Sequence, residues 1–232
     1  MVEEKPVDFL AYWAEIRRRL LSVLVSFGVG VATGVVNYER IVKWLMQGFN
    51  LQNVNVVLTS PYQFFNVAVS ISLACGIAVA TPFLVYQLIQ FVKPALRNKE
   101  YLLLVRLLPL SMFLFVAGFL FGGWVLQMVI NIYSQTTKDF NIGNLWDIEG
   151  FLTQIVIMGI SMSIVFQLPI VLTGLIKLKV LNRRQLEEKR RYVYAVLIIF
   201  DVLLPPTDIL SMAIIFVPLL MLFEGTLLLN RE

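Results

Sequence analysis

The sequence predicts an all-α, polytopic integral membrane protein. Hydrophobic residues make up 59% of the 232-residue chain, above the roughly 45–50% of soluble domains. They fall into runs long enough to cross a hydrocarbon core of about 30 Å, which takes about 20 helical residues. In such a core every backbone N–H and C=O must be paired within its own segment, which selects helices. The alternating short segments of a membrane barrel are missing from the sequence. The expected architecture is one membrane domain, residues 1–232, with six spans and both termini cytoplasmic.

Met1–Arg19 is a polar head ending in Glu15-Ile16-Arg17-Arg18-Arg19, an amphipathic lead-in whose acidic start does not read as a cleavable signal. Leu20–Val36 is the first span, with Gly28, Gly30 and Gly34 allowing close helix approach. Tyr38–Gln63 leaves the membrane. Inside it Ile41, Trp44, Leu45 and Gly48 follow i, i+3, i+4, i+7 spacing, which predicts a separate short helix in the interface. Thr59-Ser60-Pro61 offers cap and first-turn residues for the second span, Phe64–Phe91, which Pro82 should kink.

A polar link from Phe91 to Glu100 leads to the third span, Leu102–Ile132. Ser134–Gly150 is a second polar loop, Phe151–Leu178 the fourth span, and Lys179–Arg191 a strongly basic loop. Tyr192–Leu204 is a fifth span of about 13 residues, only about 20 Å of helix. That is short of the core thickness, so either flanking residues complete the span or the bilayer thins locally. Pro205-Pro206-Thr207-Asp208 makes a tight turn, with Asp208 as N-cap of the sixth span, Ile209–Leu229.

Orientation follows from the basic residues. Sixteen of the 19 Lys and Arg fall in the head, the link with Arg106, the basic loop with the adjoining Lys177, and the tail, and three in the two other loops. Positive charge favours the cytoplasmic side, which puts both termini there. That bias also accounts for the net charge of +4, leaving no argument for nucleic-acid binding. The chain has no histidine, which excludes Ser-His or Cys-His catalysis and most zinc sites. The lone Cys75 has no intrachain partner for a disulfide. No catalytic residue, metal site or cofactor is implied.

Polar groups within spans cost free energy and usually face the bundle interior. Gln167, Asp201 and Glu224 stand out, with Gln127, Asn131 and Gln154 less deeply placed. An ionised carboxylate at mid-depth costs about 2.5–3.5 kcal/mol on insertion scales, so Asp201 and Glu224 should be paired, near an interface or protonated.

Taken in order, these residues resemble the TatC family, the receptor subunit of the twin-arginine (Sec-independent) protein translocase. The resemblance rests on Glu15-Ile16-Arg17-Arg18-Arg19-Leu20, then Thr81-Pro82, Tyr86-Gln87, Phe91, Pro94-Ala95-Leu96 and Glu100. It continues through Phe166-Gln167-Leu168-Pro169, Pro205-Pro206-Thr207-Asp208 and Phe223-Glu224. The chain departs from the family at Tyr12 and Lys99, where histidine is usual, at Gln167, where an acid is common, and at Asp201, where a small residue is usual.

The resemblance implies a non-enzymatic receptor in the cytoplasmic membrane. It would bind twin-arginine signal peptides and, with single-span TatA/TatB-type subunits, export folded proteins on the proton gradient, as a homo-oligomer in its receptor complex. By that resemblance, Glu100 would take the arginine pair, Glu15 the same pair or its neighbours, and Phe91, Pro94 and Leu96 would shape the link, beside Arg17 and Arg19. Gln167, Asp208, Met212 and Glu224 would meet the partner helices. Gln167 is included because an intramembrane polar group without an internal mate invites one on a neighbouring helix; hydrogen bonding between helices of the chain itself is the plainer role of the glutamines. A guanidinium fork matches a carboxylate bidentately where an ammonium does not, which suits two acids to two arginines. The alternative is a small proton- or ion-coupled secondary transporter using Asp201 or Glu224. The chain shows no internal repeat or matched pair of broken spans to support it.

Overall fold

A computed structural model describes residues 9–49, 55–93, 98–139, 145–204 and 208–230. Those residues form nine helices and one pair of three-residue strands. Helix α1 is Phe9–Gly48, strand β1 Asn55–Val57, α2 Gln63–Val92, α3 Asn98–Arg106 and α4 Leu108–Asp139. Then come β2 Leu145–Asp147, α5 Ile148–Val165, α6 Leu168–Lys177, α7 Arg183–Glu188, α8 Arg190–Val202 and α9 Ile209–Leu229. Among the described residues, five segments are long and apolar enough to cross a membrane: Trp13–Gly48, Gln63–Val92, Leu104–Thr136, Ile148–Lys177 and Ile209–Leu229. The expected fifth span corresponds to α8, whose 13 residues are as short as the sequence indicated.

The expected interfacial helix over Ile41–Gly48 is not a separate element. It is the last part of α1, a single helix of 40 residues, about 60 Å long at 1.5 Å per residue. No proline or glycine interrupts residues 35–47, so nothing ends the helix at Val36. Ile41 and Leu45 pack with Val67, Ile71 and Phe151, so that stripe meets protein and not lipid alone. Close approach of α1 to α2 depends on two of the three expected glycines. A Cβ at Gly30 would stand 2.7 Å from the Cys75 carbonyl oxygen, and one at Gly34 would stand 2.6 Å from the Ser72 Cα. At Gly28 nothing lies within 4 Å, so that position contributes no contact.

Two expected spans are broken. The third divides at Leu107 into α3 and α4, just before Pro109, and the fourth divides at Phe166-Gln167 into α5 and α6, just before Pro169. Proline lacks the N–H of the i→i−4 ladder and its ring crowds the preceding turn. By contrast, α2 runs through Pro82 without ending. Beyond Lys177, α6 closes with Lys179 in the left-handed region (φ 59°), and the Val180 N–H reaches back to the Leu175 carbonyl at 3.1 Å. That is a Schellman-type stop with lysine at the usual glycine position.

An all-helical reading omits the strands. β1 and β2 pair in parallel, Val56 opposite Trp146, and join the two loops at one end of the bundle. Thr59, expected as a cap for α2, instead donates its hydroxyl to Asp147 Oδ1 at 2.8 Å. The Gln63 amide also donates to that oxygen. Asp147 Oδ2 caps α5 by accepting the Gly150 N–H at 2.9 Å. The Gly150 N–H, and then the Thr59 hydroxyl, hold the Asp147 carboxyl below the usual range. Asp208 is the N-cap of α9 as expected, accepting the Ser211 N–H at 3.0 Å and its hydroxyl at 2.6 Å.

The main core lies where α4, α5, α8 and α9 meet, around Val125, Met158, Met162, Leu197, Ile215, Leu219 and Phe223. A second cluster joins α1, α2, α4 and α5.

Candidate functional site

Of the expected ligand-binding residues, Glu15, Arg19 and Phe91 come together where the start of α1 meets the end of α2. At that end the Gln90 carbonyl is free for an outside donor, because residue 94 is a proline and has no N–H to return. Arg19, one turn along α1 from Glu15, supplies the donor. Its Nη2 donates to the Gln90 carbonyl at 3.3 Å, and its Nη1 to the Gln87 carbonyl at 3.4 Å and Gln87 Oε1 at 3.2 Å. Toward its own helix, Arg19 Nε and Nη2 both donate to Glu15 Oε1, at 3.0 and 2.6 Å. The Phe91 ring completes the enclosure, its centroid 5.9 Å from the Arg19 Cζ.

Glu15 is therefore ion-paired within α1, but it is not sequestered. Its side chain is 39% exposed, and it opens onto a groove of about 570 Å³ lined by Ala14, Arg18, Arg19, Ser22 and Gln87. Arg17 and Arg18 are exposed beside it. Such a pair in contact with water contributes about 0–1 kcal/mol to stability, so it is able to exchange partners.

Glu100 lies in the first turn of α3, and its side chain falls outside the described residues, as do Pro94 and Leu96. The position of that turn is fixed by its neighbour. Tyr101 accepts a hydrogen bond from the Gln90 side chain at 3.1 Å, through its hydroxyl oxygen. Gln90 thus links the α3 turn whose backbone includes residue 100 to Arg19 and Glu15, at one end of the bundle.

The residues expected at the partner surface do not form one site. Gln167 is only 4% exposed. Its Oε1 accepts the Ser111 hydroxyl at 2.6 Å and its Nε2 donates to the Ser111 carbonyl at 3.0 Å. That reciprocal pair is the interhelical hydrogen bonding read for the glutamines, and it gives Gln167 an internal mate. Glu224 is also paired inside the chain, accepting from the Tyr194 hydroxyl and lying 3.2 Å from Arg190 Nη2. Asp208 and Met212 are half-buried at the start of α9. For Asp208 burial raises the carboxyl pKa, but the hydrogen bonds from Ser211 outweigh it, and the group stays below its usual range. Asp201 is 2% exposed, and its Oδ1 has no hydrogen-bond partner among the described residues, which nothing there explains.

Residue-level reading missed Gln87, Gln90, Ser111 and Tyr194. Gln87 was legible only as part of the Tyr86-Gln87 resemblance, and the roles of the others depend on contacts between distant segments.

The chain was compared with known proteins. Residues 11–218 match the family model described as Sec-independent protein translocase protein (TatC). The chain is 28% identical over 229 residues to Sec-independent protein translocase protein TatCy of Bacillus subtilis (strain 168), covering 97% of this chain and 89% of that one. It is 26% identical to TatCd of the same organism, over 99% and 93%. In three dimensions it is similar to a crystal structure of the twin arginine translocase receptor TatC in DDM. The TM-score is 0.83 at 25% identity, over 95% of this chain and all of that one.

Proposed function

The chain belongs to the TatC family of Sec-independent protein translocase subunits, and on that premise we propose that it is the receptor that binds twin-arginine signal peptides. It is a multi-pass membrane protein of the Tat pathway. In the proposed arrangement six spans cross the cytoplasmic membrane, α8 being the short fifth. Both termini and the Glu15–Glu100 end face the cytoplasm, where positive charge is favoured.

The observation that carries the reading is the half-exposed Glu15 carboxylate, held beside the carbonyl-rich end of α2 and linked through Gln90 and Tyr101 to the turn bearing Glu100. Two adjacent arginines present two planar forks, and two carboxylates on one rim are their smallest complement. Each charge-assisted hydrogen bond contributes about 1.5–3 kcal/mol, enough to discriminate without permanent capture. The Phe91 ring, with Pro94 and Leu96 in the link, would meet the apolar residues that follow the arginines. Arg17 and Arg18 would set the approach to the groove.

Partner helices of the TatA/TatB type would dock on the α8–α9 pair. The support is the exposed apolar side chains of Val196 and Ile199 on α8, Leu203 at its C-cap, and Leu210, Val217 and Met221 on α9. Gln167 and Glu224 join that contact only by giving up their present mates. Energy would come from the proton gradient acting on the assembled complex.

Site-specific crosslinking from the groove to peptides bearing Arg-Arg or Lys-Lys tests the receptor. Glu100→Gln and Glu15→Gln should each abolish crosslinking to Arg-Arg while leaving membrane insertion intact. Undiminished crosslinking in both variants, or equal retention of the lysine peptide by the wild-type chain, would refute it.

A further inference from the structure

The surroundings of Arg19 fit a guanidinium group and not positive charge in general. Each fork nitrogen has an acceptor: Glu15 Oε1 for Nε and Nη2, the Gln90 carbonyl for Nη2, and the Gln87 side chain and carbonyl for Nη1. An ammonium, whose donors radiate from one atom, does not reach acceptors spread around a plane. Gln87 is neutral, so it adds shape to the receptacle without adding attraction for lysine. Among the groups around Arg19, Glu15 carries the formal charge, which attracts either cation.

We infer that Gln87 and the Gln90 carbonyl are the arginine-selecting part of the binding site, and that Arg19 fills it in the ligand-free chain as an internal stand-in which an arginine of the peptide displaces. The inference rests on the receptor reading above. Displacement requires no opening of the core. The Glu15 and Arg19 side chains are 39% and 24% exposed, and the groove beside them is already open. One guanidinium replaces another on the same acceptors, and the expelled side chain passes into water. An internal competitor lowers the apparent affinity by the fraction of time the receptacle stands free, which keeps capture reversible.

The test uses the full chain in detergent, titrated with fluorescent Arg-Arg and Lys-Lys peptides. Arg19→Ala should bind Arg-Arg about tenfold more tightly, with no gain for Lys-Lys, because the competitor is gone. Millimolar methylguanidinium, but not methylammonium, should reverse that gain and raise the Tm of the variant. Gln87→Met keeps the side chain's length but removes its oxygen, and should cut the preference for arginine over lysine about tenfold. A folded Arg19→Ala that gains nothing for Arg-Arg, or gains equally for Lys-Lys, overturns the inference. If Arg19→Ala does not fold, an unchanged arginine preference in Gln87→Met overturns it alone. If the wild-type chain binds neither peptide, the receptor reading has failed. The receptacle then stands or falls on whether methylguanidinium selectively stabilises Arg19→Ala, or Gln87→Met where Arg19→Ala does not fold.

Discussion

Arg19 and Gln167 each sit beside a helix end next to a proline, yet the two places have opposite characters. At the end of α2, Pro94 leaves the Gln90 carbonyl to a charged donor from another helix, in a groove open to water. At the break between α5 and α6, the turn before Pro169 carries a neutral amide, buried to 4% exposure and matched in both directions to Ser111. Where water has access, an ion pair contributes little and is free to exchange. Where it has none, a polar group must be satisfied within the fold, and losing its partner costs the full desolvation. The first arrangement suits recognition, and the second fastens two broken spans together.

The largest effect should come from breaking the buried pair. Gln167→Leu leaves the Ser111 hydroxyl without its acceptor and should lower stability by about 1–3 kcal/mol in thermal unfolding in detergent. Adding Ser111→Ala should recover most of the loss, since removing both partners is nearly neutral. A single variant as stable as the wild type would erase the contrast. Next is the Asp208 cap, which stands between the extremes. Asp208→Ala should cost about 1 kcal/mol, read as faster hydrogen exchange at the Ser211 amide.

Acid should act on the same element. The folded pKa values of Asp147 and Asp208 lie below their usual values. Their contribution is therefore complete above the unfolded value of about 3.9 and fades as the pH falls through the folded values. Exchange at Gly150 and Ser211 should accelerate below about pH 4, ahead of amides in the core. Unchanged protection there would show that these carboxylates do not hold the caps. The smallest effect on stability belongs to the open site. Glu15→Gln should change unfolding by no more than about 0.5 kcal/mol, although on the proposed function it should also remove peptide crosslinking. A larger loss would make Glu15 structural and narrow the difference from Gln167.

Much of this was legible in the sequence. Long apolar runs have one answer in a bilayer, so the long helices and the short α8 followed from hydropathy alone. The Asp208 cap was legible because a cap acts within four residues. Pro109 and Pro169 carried a local signal for the breaks at Leu107 and at Phe166-Gln167, but the continuous apolar runs masked it. The continuity of α1 was missed because polar residues 37–40 read as a boundary, whereas a helix protruding from a membrane tolerates them.

Sequence alone determined the class of molecule and most of its helical segments, because each of those depends on residues within a turn or two of one another. The tertiary structure alone decided which groups are satisfied and which remain open. Gln167 finds Ser111 across 56 residues, and Arg19 finds Gln87 across 68. Whether a polar side chain serves as a fastening or as a binding group depends on the partner and the water that packing leaves it, and no local pattern records either.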